Sequence, residues 1–295
     1  MQFNAAGDRE FWVRQWRNAK ENSPTAKRRC RSEREQLEGW NRRAVKYARR
    51  TQGPKGEQRH KAVHELLRQE NVLGPGVKVL DIGAGPGNFT VPMARAGAEV
   101  IALEPAVEMV RVMEKRLAEE KLSNVGVINR PWQEVALDEE WLRGGFDLVF
   151  ASMTPGVNDP ETLQKMLDVS RKYCYYSGHS GPRWEQAHRD LWRRLFNEDI
   201  GPAAGDILYP FGLLYASGYR PKTSFVMIRR VEEFTVEEAV ENLGQFFWSY
   251  LDITAEIKQI IEDYVKERAE NGIFRQEQKI CHGMMLWRVD DRINA

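Results

Sequence analysis

A glycine-rich turn is the segment of this 295-residue chain whose residue types and spacing most directly suggest chemistry. Residues 81–87 have the sequence DIGAGPG and follow a short apolar run, VKVL, that predicts a strand. Glycines at 83, 85 and 87 permit a tight turn and let a ligand approach the backbone where a side chain would collide. The carboxylate of Asp81 stands at the end of the predicted strand, two positions before the first glycine. We therefore predict a ligand site at this turn.

The spacing of the glycines distinguishes between two kinds of ligand. A nicotinamide dinucleotide fingerprint has the pattern G-x-G-x-x-G and places a pyrophosphate at a helix N-terminus. Here the pattern is G-x-G-x-G, and the next residues, Asn88-Phe89-Thr90, offer no third glycine at the dinucleotide position. A carboxylate beside the turn suits an ammonium or sulfonium charge rather than a diphosphate. The motif therefore predicts S-adenosylmethionine (SAM) as the ligand, with S-adenosylhomocysteine as its product.

The segments around this turn alternate between predicted strands and predicted helices. Strands are predicted in VKVLDIGAG, AEVIALEP, VGVIN, FDLVFAS and YCYYSGHS. Helices are predicted after the first, the second and the fourth of these strands, the last of them over 160–172. This alternation is typical of parallel βαβ units in an open, doubly wound sheet. The tail departs from it, with a strand in TSFVMIRRVEEF, helices over 236–250 and 254–271, and a last strand in CHGMMLWRV. Because the last strand has no crossover of its own, we expect it to lie antiparallel to its neighbour.

The segment VLDIGAGPGNFTVPMA resembles the first motif of the class I SAM-dependent methyltransferases. Later segments agree in order and spacing: Glu104 ends the second strand, NRPWQEV follows the third, and FDLVFAS resembles the fourth strand of the family. Upstream, GWNRRAVKYARR is similar to the W-x-x-R-A-x-x-Y helix of the ubiquinone/menaquinone-type and small-molecule branch. The resemblance covers residues 38–180 well and 220–290 only in layout. It implies an α/β, Rossmann-like fold with a doubly wound, mostly parallel seven-stranded sheet, and SAM-dependent methyltransferase activity.

The resemblance also implies which residues bind the cofactor. In the family, the acidic residue corresponding to Glu104 grips both ribose hydroxyls. Pro105 and Met109 resemble the usual contacts beside the adenine, and NRPWQEV places Trp132 next to the base. In the family, the tyrosine that corresponds to Tyr47 often reaches the methionine moiety of SAM. The expected cofactor residues are Tyr47, Asp81, Gly83, Ala84, Gly85, Gly87, Asn88, Glu104, Pro105, Met109, Trp132 and Ser152. A core position for Trp132 and plain helix packing for Tyr47 remain alternatives.

The methyl acceptor is expected beyond the carboxyl ends of the fourth and fifth strands. The fourth strand ends in ASMTP, which departs from the Asn/Asp-Pro-Pro-Tyr motif by which many N-methylating enzymes hold an amino group. This departure argues against methylation of a nucleobase amino group. The fifth strand ends at His179, the candidate general base for a hydroxyl or thiol acceptor, with a hydrogen-bonded structural histidine as the alternative.

Aromatic residues before and after the core predict a lid over the acceptor edge. The N-terminal helices and the 181–275 region flank this edge, and an aromatic lid favours a small, partly apolar or planar acceptor. The expected substrate residues are Trp12, Trp16, Thr154 and Tyr209. We accordingly divide the chain into an N-terminal helical cap (1–70), a SAM-binding core (71–180), and a third part (181–295) that completes the sheet and carries a helical lid insertion at about 235–275.

Charge is distributed unevenly between the cap and the rest of the chain. Residues 1–70 hold 18 Lys/Arg and 9 Asp/Glu, a net of +9, whereas the remainder has 26 and 34, a net of −8. Basic positions at 27–34 and 42–50 are the footprint expected of an RNA methyltransferase. Acidic residues interleave with them, and a capping box at Ser32 and Glu35 predicts an ordinary solvated helix there. We therefore favour a small-molecule acceptor and keep RNA, or a non-catalytic SAM-binding role, as alternatives.

Several classes of protein are disfavoured. No apolar run approaches the length of a membrane span, and the first residues lack the apolar core of a signal peptide. The three cysteines are widely spaced, which favours a reduced, cytoplasmic setting. The histidines show no metal-ligand spacing, so no metal site is expected. The acceptor atom and the oligomeric state stay open.

Overall fold

The computed structural model describes residues 7–293, apart from the side chains of residues 52, 54 and 55. Within that range seven strands form one sheet. They are β1 (Lys78–Ile82), β2 (Glu99–Leu103), β3 (Val125–Ile128), β4 (Phe146–Ser152), β5 (Ser170–His179), β6 (Lys222–Thr235) and β7 (Ile273–Arg288). Their order across the sheet is β3-β2-β1-β4-β5-β7-β6. Strand β7 pairs antiparallel with both β5 and β6, and the four other strand pairs are parallel. This confirms the expected α/β class, the mostly parallel sheet and the orientation of the last strand.

Eleven α-helices surround this sheet in the described part of the chain. They are α1 (Arg9–Asn22), α2 (Pro24–Lys27), α3 (Glu33–Gln52), α4 (Pro54–Gln69), α5 (Thr90–Arg95), α6 (Val107–Glu119), α7 (Pro160–Asp168), α8 (Gln186–Phe196), α9 (Leu208–Ala216), α10 (Val236–Phe247) and α11 (Ala255–Arg268). The first four fall in the predicted cap, and α10 and α11 occupy the predicted insertion between β6 and β7. Residues 1–6 of the predicted cap and residues 294–295 of the third part lie outside the described residues.

Two strands are longer than the sequence indicated. The predicted helix over 160–172 ends at Asp168, and β5 already begins at Ser170, where the chain pairs with Phe146 of β4. The last strand begins at Ile273, eight residues before CHGMMLWRV, because it pairs with β6 without interruption as far as Thr235. The first half of β7 alternates between buried and exposed polar residues, so it contains no apolar run from which a strand would be predicted.

Local capping explains where several helices begin. At α3, Ser32 Oγ accepts the Glu35 N–H, and the Glu35 carboxylate accepts the Ser32 N–H at 2.9 Å, which confirms the predicted capping box. Thr235 and Glu238 form the same arrangement at α10. The insertion therefore starts immediately where β6 ends.

The apolar core has two layers, one on each face of the sheet. Trp16 of α1 and Tyr176 of β5 belong to the layer that also takes up α7 and α9. Phe89 and Tyr175 belong to the opposite layer, which takes up α4 and α5. A third cluster, which includes Trp192, joins α8, α10 and α11 to the far end of the β6–β7 ribbon. The residues at the carboxyl ends of β4 and β5 thus lie between the cap and this third cluster.

Candidate active site

The glycine turn after β1 is closely packed on two sides and open on a third. All three glycines have positive φ, a backbone conformation that residues with a side chain rarely adopt. A Cβ on Gly83 would lie 1.9 Å from Thr154 Oγ1, and one on Gly87 would lie 2.7 Å from Met113 Cγ. A Cβ on Gly85 would meet nothing within 4 Å. The turn therefore leaves its free space beside Gly85.

Two carboxylates stand at the ends of the adjacent strands β1 and β2. Asp81 is 2% exposed and accepts the Thr90 hydroxyl at 2.6 Å. Glu104 is 7% exposed and accepts the backbone N–H groups of Gly85 and Ala106, both at 2.8 Å. The second contact links the start of α6 to the end of β2, and the first links Glu104 to the open side of the glycine turn.

Neither of these carboxylates has a cation to balance it. Burial raises the pKa of Asp81 to about 7, the Thr90 hydrogen bond opposes this, and the charge of Glu104 adds to it. Burial likewise raises the pKa of Glu104. Among the side chains that the structure describes, no lysine or arginine pairs with either group. Because a buried charge is costly without a partner, a ligand with positive charge and hydroxyl donors suits this pair. The sulfonium, ammonium and ribose hydroxyls of SAM meet that requirement.

The cap lies directly over the remaining predicted cofactor positions. Asn88 donates its amide to Thr51 Oγ1 of α3 at 2.9 Å. Met109 of α6 is 3% exposed and packs with Ala44, next to Tyr47. Tyr47 is half-buried on α3, as its proposed approach to the ligand requires, although it also packs edge-to-face on a neighbouring tryptophan. The cofactor roles of Asn88, Met109 and Tyr47 remain predictions.

Other predicted cofactor residues differ in burial. Ala84 is buried, and Pro105 is half-buried after β2. Ser152 ends β4, with its hydroxyl oxygen 3.1 Å from that of Ser177 on β5. Trp132 is 1% exposed and belongs to the core layer of Trp16. Its indole N–H donates to the Thr162 carbonyl at 3.2 Å, as in a core tryptophan; contact with adenine remains a prediction.

At the acceptor edge, His179 faces a second histidine. In the β5–β7 register His179 lies directly opposite His282, and the ring centroids are 5.4 Å apart. Both Nδ1 atoms are buried without a hydrogen-bond partner in the described structure. Burial lowers the pKa of His179 to about 3, with further lowering by Arg183, His282 and Arg59. It lowers the pKa of His282 to about 4. Both imidazoles are therefore neutral near pH 7, and a base of such low pKa removes protons weakly.

The aromatic residues predicted to bind substrate lie on the other face of the sheet. The side chain of Trp16 is 1% exposed and belongs to the same core layer as Tyr176. The ring of Trp12 packs against Gly212 of α9. Tyr209 is half-buried on the same helix. Because side chains alternate along a strand, His179 shares the face of Tyr175, opposite to these residues. Thr154, by contrast, touches the glycine turn. Substrate contacts for all four residues remain predictions.

Sequence reasoning missed two residues near His179. His282 seemed isolated in the sequence, since only the β5–β7 register brings it opposite His179. Arg59 of α4 was outside the basic positions considered, yet its guanidinium lies 5.5 Å from the centroid of the Phe89 ring, beside the glycine turn. The sequence does show that Arg59 and Val63 lie one turn apart, on the same side of a predicted helix. It does not show that this side of α4 meets the sheet.

An open groove lies between the cap and the insertion, where the lid was expected. Its volume is about 710 Å³, and it runs between α3 and the α10–α11 pair. Val240, Trp248 and Ile261 form apolar parts of its wall, and Arg42 and Glu262 are among its charged residues. The groove thus shows that the cap and the insertion enclose space between them.

Metal and membrane features can be stated for the described residues only. Over 7–293 no group of three or more His, Cys, Asp or Glu side chains is arranged to hold a metal ion. In the same range the helices are all too short or too polar to cross a membrane.

Comparison with known proteins agrees with this geometry. Residues 73–189 match the family model of a methyltransferase domain. They form a methyltransferase domain. Its methyl donor is SAM, for which the glycine turn and the two buried carboxylates provide a fitting site. The match ends shortly after His179, so the long β6–β7 ribbon, α10 and α11 lie beyond it, as do the cap helices α1 to α4.

Relatives and solved structures extend the comparison beyond this domain. The chain is 24% identical over 256 residues to an uncharacterized protein of Haemophilus influenzae, covering 85% of this chain and 87% of that one. It is 39% identical over 75 residues to a 23S rRNA (uracil(1939)-C(5))-methyltransferase of Alkalilimnicola ehrlichii, covering 25% of this chain but only 17% of that protein. Magnesium protoporphyrin IX methyltransferase of Synechocystis, solved with bound S-adenosylhomocysteine, shares the fold at a TM-score of 0.50 and 16% identity, over 66% of this chain and 93% of that one.

Proposed function

We propose that this protein transfers the methyl group of SAM to a small-molecule acceptor, as members of the small-molecule branch of the family do. SAM supplies a methyl group on a positively charged sulfur, so the chain has mainly to bind, orient and shield the reactants. Asp81 and Glu104 hold the donor at the glycine turn. The acceptor approaches from the carboxyl ends of β4 and β5. The observation that carries the proposal is that the cap contacts both Asn88, next to the glycine turn, and the end of α10, so the cap and the insertion meet beside the donor.

Part of the positive charge of the cap is paired within the molecule. Among the cap side chains that the structure describes, four cations form ion pairs with acidic residues of the later parts of the chain. The pairs are Arg17–Glu161, Lys20–Asp159, Arg28–Glu198 and Arg31–Asp252. Arg31 also donates to the carbonyl oxygens of Trp248 and Leu251 after α10, at 2.8 and 3.0 Å. The net charges of +9 and −8 therefore complement each other, which favours a cover over the site rather than a phosphate-binding arm.

RNA stays the second candidate because the names of several relatives specify 23S rRNA. Lys46, Arg49 and Arg50 are exposed on α3 and are available to phosphates. The proposal also includes the cytoplasmic setting that the three free cysteines favour.

One labelling experiment separates the candidates. The protein is incubated with methyl-labelled SAM and a cell extract, with and without prior ribonuclease treatment, and label is followed in the small-molecule and RNA fractions. We expect ribonuclease-resistant label in the small-molecule fraction. Ribonuclease-sensitive label in RNA would instead establish the second candidate. Binding of SAM by calorimetry with no transfer to any fraction would indicate a non-catalytic SAM-binding protein, and failure to bind SAM or S-adenosylhomocysteine would refute all three.

A further inference from the structure

A side-chain cluster at the acceptor edge has a composition that no role described above explains. We propose that Arg59, His179 and His282 form the acceptor-binding site, and that the acceptor binds and reacts as an anion, through an acidic hydroxyl or thiol group that has lost its proton. This inference rests on the proposed methyl transfer and specifies the chemical class of its substrate.

The histidine pair provides two hydrogen-bonding positions on the same face of the sheet. His179 and His282 occupy opposite positions of neighbouring antiparallel strands, so their side chains project from the same face of the sheet. Their rings are tilted by 37°, with centroids 5.4 Å apart, within the usual range for neighbouring rings. The buried Nδ1 of each ring lacks a partner in the described structure. Buried polar atoms are rarely left unpaired, so a ligand group is expected to bond to them.

Arg59 connects this pair to the donor site. One turn further along α4, Val63 is fully buried in the layer that contains Tyr175 and Phe89, which places this side of the helix against the same sheet face. The guanidinium of Arg59 lies over Phe89, the second residue after Gly87. Its charge acts on His179 and on His282 as well. The cation therefore lies within electrostatic reach of both the glycine turn and the histidine pair.

The charges acting on the pair are all positive. His179 is affected by Arg183 and Arg59, and His282 by Arg59 and Arg230. No carboxylate among residues 7–293 pairs with Arg59 or raises the pKa of either imidazole. The same positive potential that opposes protonation of an imidazole opposes protonation of an acceptor oxygen or sulfur beside it.

Three acidic side chains in this part of the molecule are engaged with other groups. Asp206, whose backbone is bridged to that of His179, accepts the N–H groups of Gly181 and Leu208, both at 2.8 Å. Gln278 donates to Glu232 at 2.6 Å, and Gln276 donates to Glu185 at the start of α8. Glu232 also lies 3.4 Å from Arg230. The contacts of Glu232 and Glu185 form a polar network between the ribbon and α8 that pairs Arg230, one of the two arginines acting on His282. An incoming anion would be the group that balances Arg59.

The transfer step balances without a further reactant. The acceptor releases its proton to solvent on binding and presents a lone pair on oxygen or sulfur. That lone pair forms the bond to the methyl carbon, and the sulfonium–methyl bond breaks with both electrons remaining on the cofactor sulfur. One negative and one positive charge thus give two neutral products. Neutral histidines suit this step, because they can hydrogen-bond the acceptor without having to act as strong bases.

The test uses chromophores whose charge can be seen. The full chain, saturated with S-adenosylhomocysteine, is titrated with 4-nitrophenol or 4-nitrothiophenol at a pH where each is largely protonated in solution, and with 4-nitroaniline as the neutral counterpart. We expect binding to increase the visible absorbance of the phenolate or thiolate. Arg59→Gln should weaken binding of the anion about tenfold and reduce this absorbance change, whereas Arg68→Gln, at the exposed end of the same helix, should leave both unchanged.

Each result of this test has a definite meaning. Failure of the native chain to bind S-adenosylhomocysteine refutes the proposed methyl transfer itself. If the cofactor product binds but neither anion does, or if 4-nitroaniline binds as well as the phenolate, the inference is wrong while the proposed function stands. Equal anion binding by the native chain and Arg59→Gln overturns it in the same way. His282→Asn provides a second check that spares α4, with an expected loss of anion affinity and unchanged binding of S-adenosylhomocysteine.

Discussion

The donor side and the acceptor side of the site have opposite electrostatic character. At the donor side, Asp81 and Glu104 are buried carboxylates with no cation paired to them in the described structure. At the acceptor side, His179 and His282 are buried imidazoles whose surrounding charges are positive. The donor side thus contains buried carboxylates that no cation balances in the described structure, and the acceptor side contains Arg59, for which the same structure shows no paired carboxylate. The comparison teaches that the two ligands, rather than the protein, complete the charge balance, with a sulfonium at one side and an anion at the other.

The largest expected effect comes from removing the donor-side charge. Glu104→Gln replaces a carboxylate by an amide, which cannot accept both ribose hydroxyls with charge-assisted hydrogen bonds. We expect affinity for S-adenosylhomocysteine to fall about 100-fold, measured by calorimetry. Glu99→Gln, at the exposed opposite end of β2, is the matched control and should bind normally. An unchanged affinity in Glu104→Gln would remove the donor site from this edge.

Two glycine substitutions test how tightly the donor side is packed. Gly83→Ala should destabilise the fold by about 3 kcal/mol, since it combines a positive φ with a collision against Thr154. Gly85→Ala has the same kind of backbone penalty, but its methyl group enters open space, so we expect a loss of only about 1 kcal/mol. Urea unfolding measures both free energies. Because that open space is the predicted ligand position, Gly85→Ala should also weaken cofactor binding; normal binding would place the ligand elsewhere.

The two sides should respond to pH in opposite directions. The pKa of Asp81 is raised from its ordinary value to about 7, so the folded chain holds this proton more tightly than the unfolded chain. The resulting stabilisation is present at low pH and is lost as pH rises from about 4 to 7. Relative to Asp81→Asn, the free energy of unfolding of the native chain should fall by up to about 1.4 kcal/mol per pH unit across that window. Urea midpoints of both proteins at several pH values measure the difference.

The acceptor side gives the reverse slope. The pKa of His282 is lowered to about 4, so the unfolded chain binds this proton more readily, and the stabilisation is lost as pH falls from about 6.5 towards 4. Relative to His282→Asn, the native chain should therefore weaken on acidification over that range. Parallel slopes for the donor-side and acceptor-side variants would contradict the burial that raises the pKa of Asp81 and lowers that of His282.

The smallest effect is expected in the cover that spans both sides. Arg31 is 13% exposed at its side chain and bonds two carbonyl oxygens beyond α10, so Arg31→Gln should cost about 1 kcal/mol in urea unfolding. Arg17, whose pair with Glu161 is solvent-exposed, should have no measurable effect on stability when changed to Gln. If Arg31→Gln and Arg17→Gln changed the free energy of unfolding equally, the contacts of Arg31 with the end of α10 would not be what holds the cap at the insertion.

Local sequence patterns determined the sheet and the donor side of the site. Alternating strands and helices predicted the α/β class, and FDLVFAS coincides with the observed β4. The glycine turn, Asp81 and Glu104 were found because their positions depend on short-range geometry: a tight turn and the ends of two adjacent strands. The beginnings of β5 and β7 were missed, since their polar residues pair with neighbouring strands that are distant in the sequence.

Only the tertiary structure decided the acceptor side and the use of the cap's charge. His282 lies 103 positions after His179, and nothing in either segment specifies the register that brings them opposite each other. Arg59 reaches the site because Val63 turns that side of α4 towards the sheet, and Trp16 lies in the core layer on the other face. The sequence by itself determined the excess of positive charge in residues 1–70, because composition is independent of folding. Which acidic residues pair with these basic residues depends on packing between distant segments, which no local pattern encodes.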